Sequence, residues 1–205
     1  MSKIDTKKKA EERKIVEKVF NQLKFSIEDN EPLDFLISDG NHKFGVEVTR
    51  LYYNDGFGRL YNKKDYKEEL ERDIYVHKDD YANLKIKSTY LLIPSDNQFH
   101  FAFNKITYTK PTEEQFTDKI IERIQSKNNN ENEYNNTSAE WLELVISDEN
   151  RYFDDGNELS MENQQKLINA VNNSIFNTVY ILSTYKGIGS LYVIGKLPEF
   201  LLESK

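Results

Sequence analysis

The chain of 205 residues contains no cysteine, which excludes disulfides and thiolate metal sites. It has no apolar run near the ~18 residues that span a bilayer, and no apolar segment of the secretory kind at its start. A cytoplasmic protein with no membrane contact is the expectation. Positive charge is also short. The formal net charge is −7, which argues against broad electrostatic adhesion to DNA or anionic lipid. It does not exclude a nuclease, because acidic metal sites make such enzymes locally negative. The three histidines, His42, His77 and His100, are scattered without ligand spacing, and no Ser-His-Asp arrangement stands out. Gly187 and Gly189 are not followed by a helical pattern, so a hairpin turn is expected there and not a phosphate loop. "FDDGNE", 153–158, lacks the spacing of a calcium loop and reads as a turn.

What is present is aromatic bulk. Thirteen Tyr and twelve Phe supply much of the buried area, so the chain reads as globular although 31% of it is charged. Residues 6–24 form an amphipathic helical pattern through Ile15, Val16, Val19, Phe20 and Leu23. That stretch is also the basic part of the chain, with seven Lys and one Arg against four acids over 3–24. Strand-like runs follow at 33–38 and 43–50. After Gly56 and Gly58, a second helix is expected over 61–84, with Tyr66, Leu70, Ile74, His77 and Tyr81 on one stripe. Further strands are expected at 88–94, 98–103, 139–147, 178–183 and 190–195, and helices at 112–127 and 160–173. The Asn-rich stretch 128–136 reads as a flexible surface insertion. The order α-β-β-α-β-β-α-β-α-β-β predicts one mixed α/β domain over 1–205, with 33–38, 43–50 and 88–94 in its central sheet.

The chemistry concentrates in "EPLDFLISDGNHKFGVEVTRLY", residues 31–52. It reads as a hairpin around Gly40-Asn41, yet each arm carries a carboxylate, which is disfavoured in a strand. Side chains alternate faces along 43–50. Phe44, Val46 and Val48 point one way; Gly45, Glu47 and Thr49 point the other, with open space expected at Gly45. An antiparallel pairing sets Asp34 opposite the region of Glu47 to Thr49. Two nearby carboxylates repel unless a proton or cation lies between them, and such oxygen ligands suit Mg²⁺ or Mn²⁺. Glu12 projects onto the core-facing stripe of the first helix and offers a third acid, while Glu17 projects to solvent.

This pattern resembles the PD-(D/E)XK nuclease superfamily. "PLDF…GVEVT" and its flanking helices, about residues 7–94, carry the resemblance. It implies a restriction-endonuclease-like core of the αβββαβ type, metal binding by Asp34 and Glu47, and endonuclease hydrolysis of nucleic acid, with DNA expected. Defence against foreign DNA is a habit of the family. Two departures stand out: Pro32 is one position early, and Thr49 occupies the usual Lys position. Since some members draw the basic group from a neighbouring helix, Lys63 and Lys67 are candidates for that role. The catalytic set expected on this basis is Glu12, Asp34, Glu47, Thr49, Lys63 and Lys67. A homodimer or a protein partner is a further option. Thr49 also suits an alternative, a nuclease-like module without catalysis that binds a protein or nucleic acid. The net charge alone would suit an acidic inhibitor or immunity-type protein.

Overall fold

The computed structural model describes residues 3–20, 25–52, 54–63, 65–95, 97–106, 111–134, 137–149, 152–153, 157–185 and 188–195. In chain order the elements are α1 (Lys3–Phe20), β1 (Ser26–Asp29), β2 (Phe35–Ser38), β3 (Lys43–Leu51), α2 (Asp55–Asn62), α3 (Tyr66–Glu71), α4 (Asp80–Asn83), β4 (Lys87–Ile93), β5 (Gln98–Lys105), α5 (Glu113–Asn128), α6 (Glu131–Tyr134), β6 (Trp141–Asp148), α7 (Met161–Asn172), β7 (Thr178–Tyr185) and β8 (Ile188–Gly195). The expected single domain resolves into two compact units. One comprises Met1–Leu51 and Pro111–Lys205; the other is Tyr52–Lys110. The expected 7–94 core is therefore divided between them.

The first unit is built on a mixed six-stranded sheet in the order β1-β2-β3-β6-β7-β8. β1, β2 and β3 form an antiparallel meander, β3–β6 and β6–β7 are parallel, and β7–β8 is an antiparallel hairpin. The β2–β3 turn matches the sequence expectation. Gly40 sits at φ 96°, a conformation open to glycine, and the Asp39 carboxylate accepts the Asn41 and His42 amides at 2.8 and 2.7 Å. β1 was not expected, because "SIED" is short, polar and mostly exposed. Those are the properties of a strand that closes a sheet edge.

Helices cover both faces of this sheet. Val16 and Phe20 of α1 pack on Phe35, Ile37, Phe44, Val46, Val48, Val145 and Tyr180. On the other face, Phe116, Ile120 and Ile124 of α5 and Leu167 and Val171 of α7 pack on Leu51, Leu144, Ile146, Val179 and Ile181. α5 starts from a capping box in which Thr112 and Gln115 satisfy each other's main-chain amides. Glu113 of that first turn accepts the Ser160 amide at 2.5 Å and Asn163 Nδ2 at 2.7 Å, which ties the starts of α5 and α7 together.

Three expectations are corrected here. Residues 88–94 do not join the central sheet; they form β4, paired only with β5 in a separate two-stranded sheet. The place beside β3 is taken by β6, where Leu144, Val145 and Ile146 are wholly buried. An interior parallel strand needs apolar residues on both faces buried, and β6 meets that condition. β4 is exposed at nearly every position. Second, the Asn-rich stretch is not a loose insertion as far as residue 134. Asn128 ends α5, and α6 buries Tyr134 in the core. Residues 135 and 136 lie outside the described residues, as do Leu23 and 154–156 of the expected turn.

Third, the expected helix 61–84 is three short pieces in the second unit. Gly56 and Gly58 do not break the chain but lie within α2, which Asn54 caps by accepting the Phe57 amide at 3.0 Å. A Cβ at Gly56 would lie 2.8 Å from Asp80 Oδ1, so glycine there admits α4. Tyr66 and Leu70 are buried with Phe57 and Leu84, whereas Ile74 and Tyr81 are 67% and 55% exposed. Asp73 takes a left-handed φ of 58° and turns the chain out of the helix after α3. Asp80 anchors the unit from a position with no exposed surface. It accepts Arg59 Nε at 3.0 Å and the Tyr66 hydroxyl at 2.5 Å.

Candidate active site

The first unit brings the two acids of the motif together. Phe35 of β2 pairs with Val46 of β3, and Asp34, the residue before β2, lies close enough to Glu47 for its charge to act on the Glu47 carboxyl. The predicted alternation holds: Phe44, Val46 and Val48 enter the α1-side core, and Glu47 meets α5 on the other side through Lys127. Asp34 is pinned by the Val48 amide, which donates to its Oδ2 at 2.8 Å.

Each acid has a lysine. Lys9 Nζ lies 3.5 Å from Asp34 Oδ1, with both side chains less than a fifth exposed. Lys127 at the last turn of α5 bonds Glu47 Oε1. Glu47 is only 5% exposed, and its Oε2 has no hydrogen-bond partner among the described residues. Burial pushes the Glu47 carboxyl above its ordinary value and the Asp34 charge adds to this; Lys127 and the Asp34 main chain act in the opposite direction. Glu12 joins the same field. It is 5% exposed, its carboxyl is raised by burial and then by Asp34, and Lys8 lies 3.3 Å away. Asp34 thus acts on both glutamates. Tyr134 stands near as well: burial first, then the Glu47 charge, raises its phenol, and Asn130 Nδ2 donates to its hydroxyl at 3.3 Å.

Thr49 follows Glu47 on the same strand face, in register with Ile146 of β6, and brings no charge. Gly45 is not an open spot. A Cβ there would run into Leu33 and come 2.8 Å from Leu142 Cδ2, so the space is filled with side chains and glycine permits the close packing. Lys63 and Lys67 lie in the second unit. Lys63 ends α2 with its ammonium 5.8 Å from the centre of the Tyr66 ring, and Lys67 pairs with Glu71 at 3.6 Å on an exposed surface. Among the described residues, Lys9 and Lys127 are the cations paired with the two acids.

Both were readable as signals. Lys9 precedes Glu12, Val16 and Phe20 at helical spacing, and Lys127 follows Phe116, Ile120 and Ile124 in the same way. A lysine on a core-facing stripe needs an acid to meet. On the α1 side, Arg50 pairs with Glu11 at 2.6 Å and Arg13 with Asp29 at 2.7 Å, so each guanidinium is already matched by an acid.

The donors can be weighed against a divalent ion. No group of three or more His, Cys, Asp and Glu side chains spaced to hold a metal occurs among the described residues. Mg²⁺, however, is commonly held by one or two carboxylates with water and phosphate oxygens completing its shell. Asp34 and Glu47 supply two carboxylates, and the unsatisfied Glu47 Oε2 is a free ligand atom. Two carboxylates suit a hydrated Mg²⁺ or Mn²⁺, although Asp34 Oδ1 now meets Lys9 and its Oδ2 accepts the Val48 amide. No family model matches this sequence, and neither a curated protein nor a solved structure is significantly similar to the chain. No helix among the described residues is long and apolar enough to cross a membrane.

Proposed function

We propose that this protein is a Mg²⁺- or Mn²⁺-dependent nuclease that hydrolyses phosphodiester bonds in nucleic acid, with DNA the expected substrate. On this reading its core is the restriction-endonuclease-like arrangement of α1, β1–β3, α5 and β6. The observation that carries the proposal is the neighbouring pair Asp34 and Glu47, each held by a lysine from a different helix. Asp34 and Glu47 would hold the ion, which when bound supplies Lewis acidity toward a phosphate oxygen. Lys127 takes the place that Thr49 leaves empty: its ammonium is fixed at Glu47 and can orient water or meet charge on the phosphate. Lys9, Arg13 and Arg50, each now paired with an acid, are the α1-side cations that substrate phosphates would recruit in exchange. Glu12, raised by burial and by Asp34, can keep or take a proton beside the acids.

One observation favours a second reading. The ion pairs Lys9–Asp34 and Lys127–Glu47 balance both acids without a metal, as a module without catalysis would require. Thermal melting with and without Mg²⁺ or Mn²⁺, beside cleavage of duplex DNA, single-stranded DNA and RNA, separates the two. The nuclease reading requires a metal-dependent rise in melting temperature that Asp34→Ala and Glu47→Ala both lose. Metal-independent melting with no cleavage leaves the binding module.

A further inference from the structure

Thirteen large apolar side chains stand exposed among the described residues, and six of them crowd onto β4 and β5: Tyr90, Leu91, Leu92, Ile93, Phe99 and Phe103, from 39% to 71% exposed. Leu91 and Leu92 are successive residues of one strand, so they face opposite sides of the ribbon. Both faces are therefore apolar and wet. A two-stranded ribbon in that condition is marginal in water without a third strand or a covering element. An occupant lying on one face would leave the other open, whereas a strand added along an edge extends both faces together.

The two edges differ. Thr89 pairs with Phe103 but Tyr90 with Phe101, so Ala102 is an extra residue and β5 carries a bulge, a feature that disturbs an edge. β4 has no extra residue, and no charge or proline falls between Ser88 and Ile93. The devices that keep edges apart stand only at its two ends, Lys87 and Pro94. A strand that meets its own copy about a twofold axis pairs antiparallel and matches the same residues on both sides. In β4 that sets Tyr90–Ile93 against itself, apolar at every position. Two chains of net charge −7 repel, so a contact between copies belongs where acids are scarce; residues 84–106 contain one, Asp96. A nucleic acid would ask for cations that 88–93 does not have.

We infer that the chain forms a twofold dimer in which β4 of one copy pairs antiparallel with β4 of the other, making one four-stranded sheet. The inference does not depend on the nuclease reading. Light scattering after size exclusion, from 1 to 100 µM (a range set on the order of typical weak-dimer affinities), should give twice the 24.2 kDa chain mass at the upper end. Leu91→Lys and Leu92→Lys should each weaken dimerisation at least about tenfold with an unchanged circular dichroism spectrum. Because the native chain has no cysteine, single-cysteine variants add a test that does not need a disruptive change. Among Tyr90→Cys, Leu91→Cys and Leu92→Cys, at least one should cross-link two copies under mild oxidation, and Ile168→Cys on α7, 41% exposed, should not. A monomer across the whole range overturns the inference, as do a dimer indifferent to both lysines or cross-linking no better at β4 than at Ile168. Capture of a peptide or single-stranded nucleic acid by a monomeric chain overturns it too.

Discussion

Glu143 of β6 has no exposed surface, and neither of its carboxyl oxygens has a hydrogen bond of ordinary geometry among the described residues. Burial pushes its pKa up to about 8, tempered by weak interaction with Thr178 and Trp141. An unfolded glutamate titrates near ~4.3. Between these values the folded chain keeps a proton that the unfolded chain has released, so stability falls as pH rises, by at most about 1.4 kcal/mol per pH unit. The fall ends above the folded value. Glu143→Gln should flatten this slope and make the protein more stable than the wild type at pH 8, as read by urea unfolding from pH 5 to 9; parallel profiles for the two proteins would contradict it. Lys127 is the residue on which the active-site account leans most after the acids. Lys127→Met should lower cleavage at least about 100-fold and leave Glu47 buried without its cation. Adding Thr49→Lys should restore part of the rate, because it returns an ammonium to the same strand face. Cleavage rates of the single and double variants, beside their melting curves, decide this; a rate unchanged by Lys127→Met would remove Lys127 from the chemistry.

Among the elements, periodicity was a good guide where one face alone is buried. α1, α5 and α7 and the strands β2, β3, β6, β7 and β8 follow their apolar patterns within a few residues. The pattern failed at 61–84, where tertiary ties override helical spacing. Tyr66 and Asp80 are hydrogen-bonded at 2.5 Å across a chain reversal, and a straight helix cannot bring those positions together. Nothing in the spacing of Tyr66, Leu70 and Ile74 announces that reversal. Hydrogen bonds from Arg59 and Tyr66 hold the Asp80 carboxyl below its ordinary value against the effect of burial. Asp80→Ala strands the Arg59 guanidinium and the Tyr66 hydroxyl and should cost about 3 kcal/mol. Hydrogen exchange should show α2, α3 and α4 losing protection while β3, β6 and β7 keep theirs; uniform loss would mean that the two units do not open separately.

For the whole molecule, the turn at Gly40-Asn41 and the alternation along 43–50 were legible from residues 31–52 alone, and so was the nearness of Asp34 to Glu47. Lys127, which bonds Glu47, is not legible from that stretch: the next helical pattern in the sequence points to Lys63 and Lys67. The chain instead passes through the 59 residues of the second unit, Tyr52–Lys110, before α5 brings Lys127 to Glu47. The parallel pairing of β3 with β6 requires a crossover element, and α5 lies on that connection. The central claim is that Asp34 and Glu47 form one cation site serving phosphodiester cleavage. Its most direct test is melting of the wild type, Asp34→Ala and Glu47→Ala with increasing Mn²⁺, with plasmid cleavage measured on the same samples. A ligand that binds the folded state alone stabilises it by mass action, about 2.7 kcal/mol at one hundred times its dissociation constant. The account predicts a metal-dependent rise for the wild type with cleavage, and neither for the two variants, which melt lower than the wild type without metal because Lys9 or Lys127 loses its carboxylate. A wild type whose melting ignores the metal and that cuts none of duplex DNA, single-stranded DNA and RNA would contradict it.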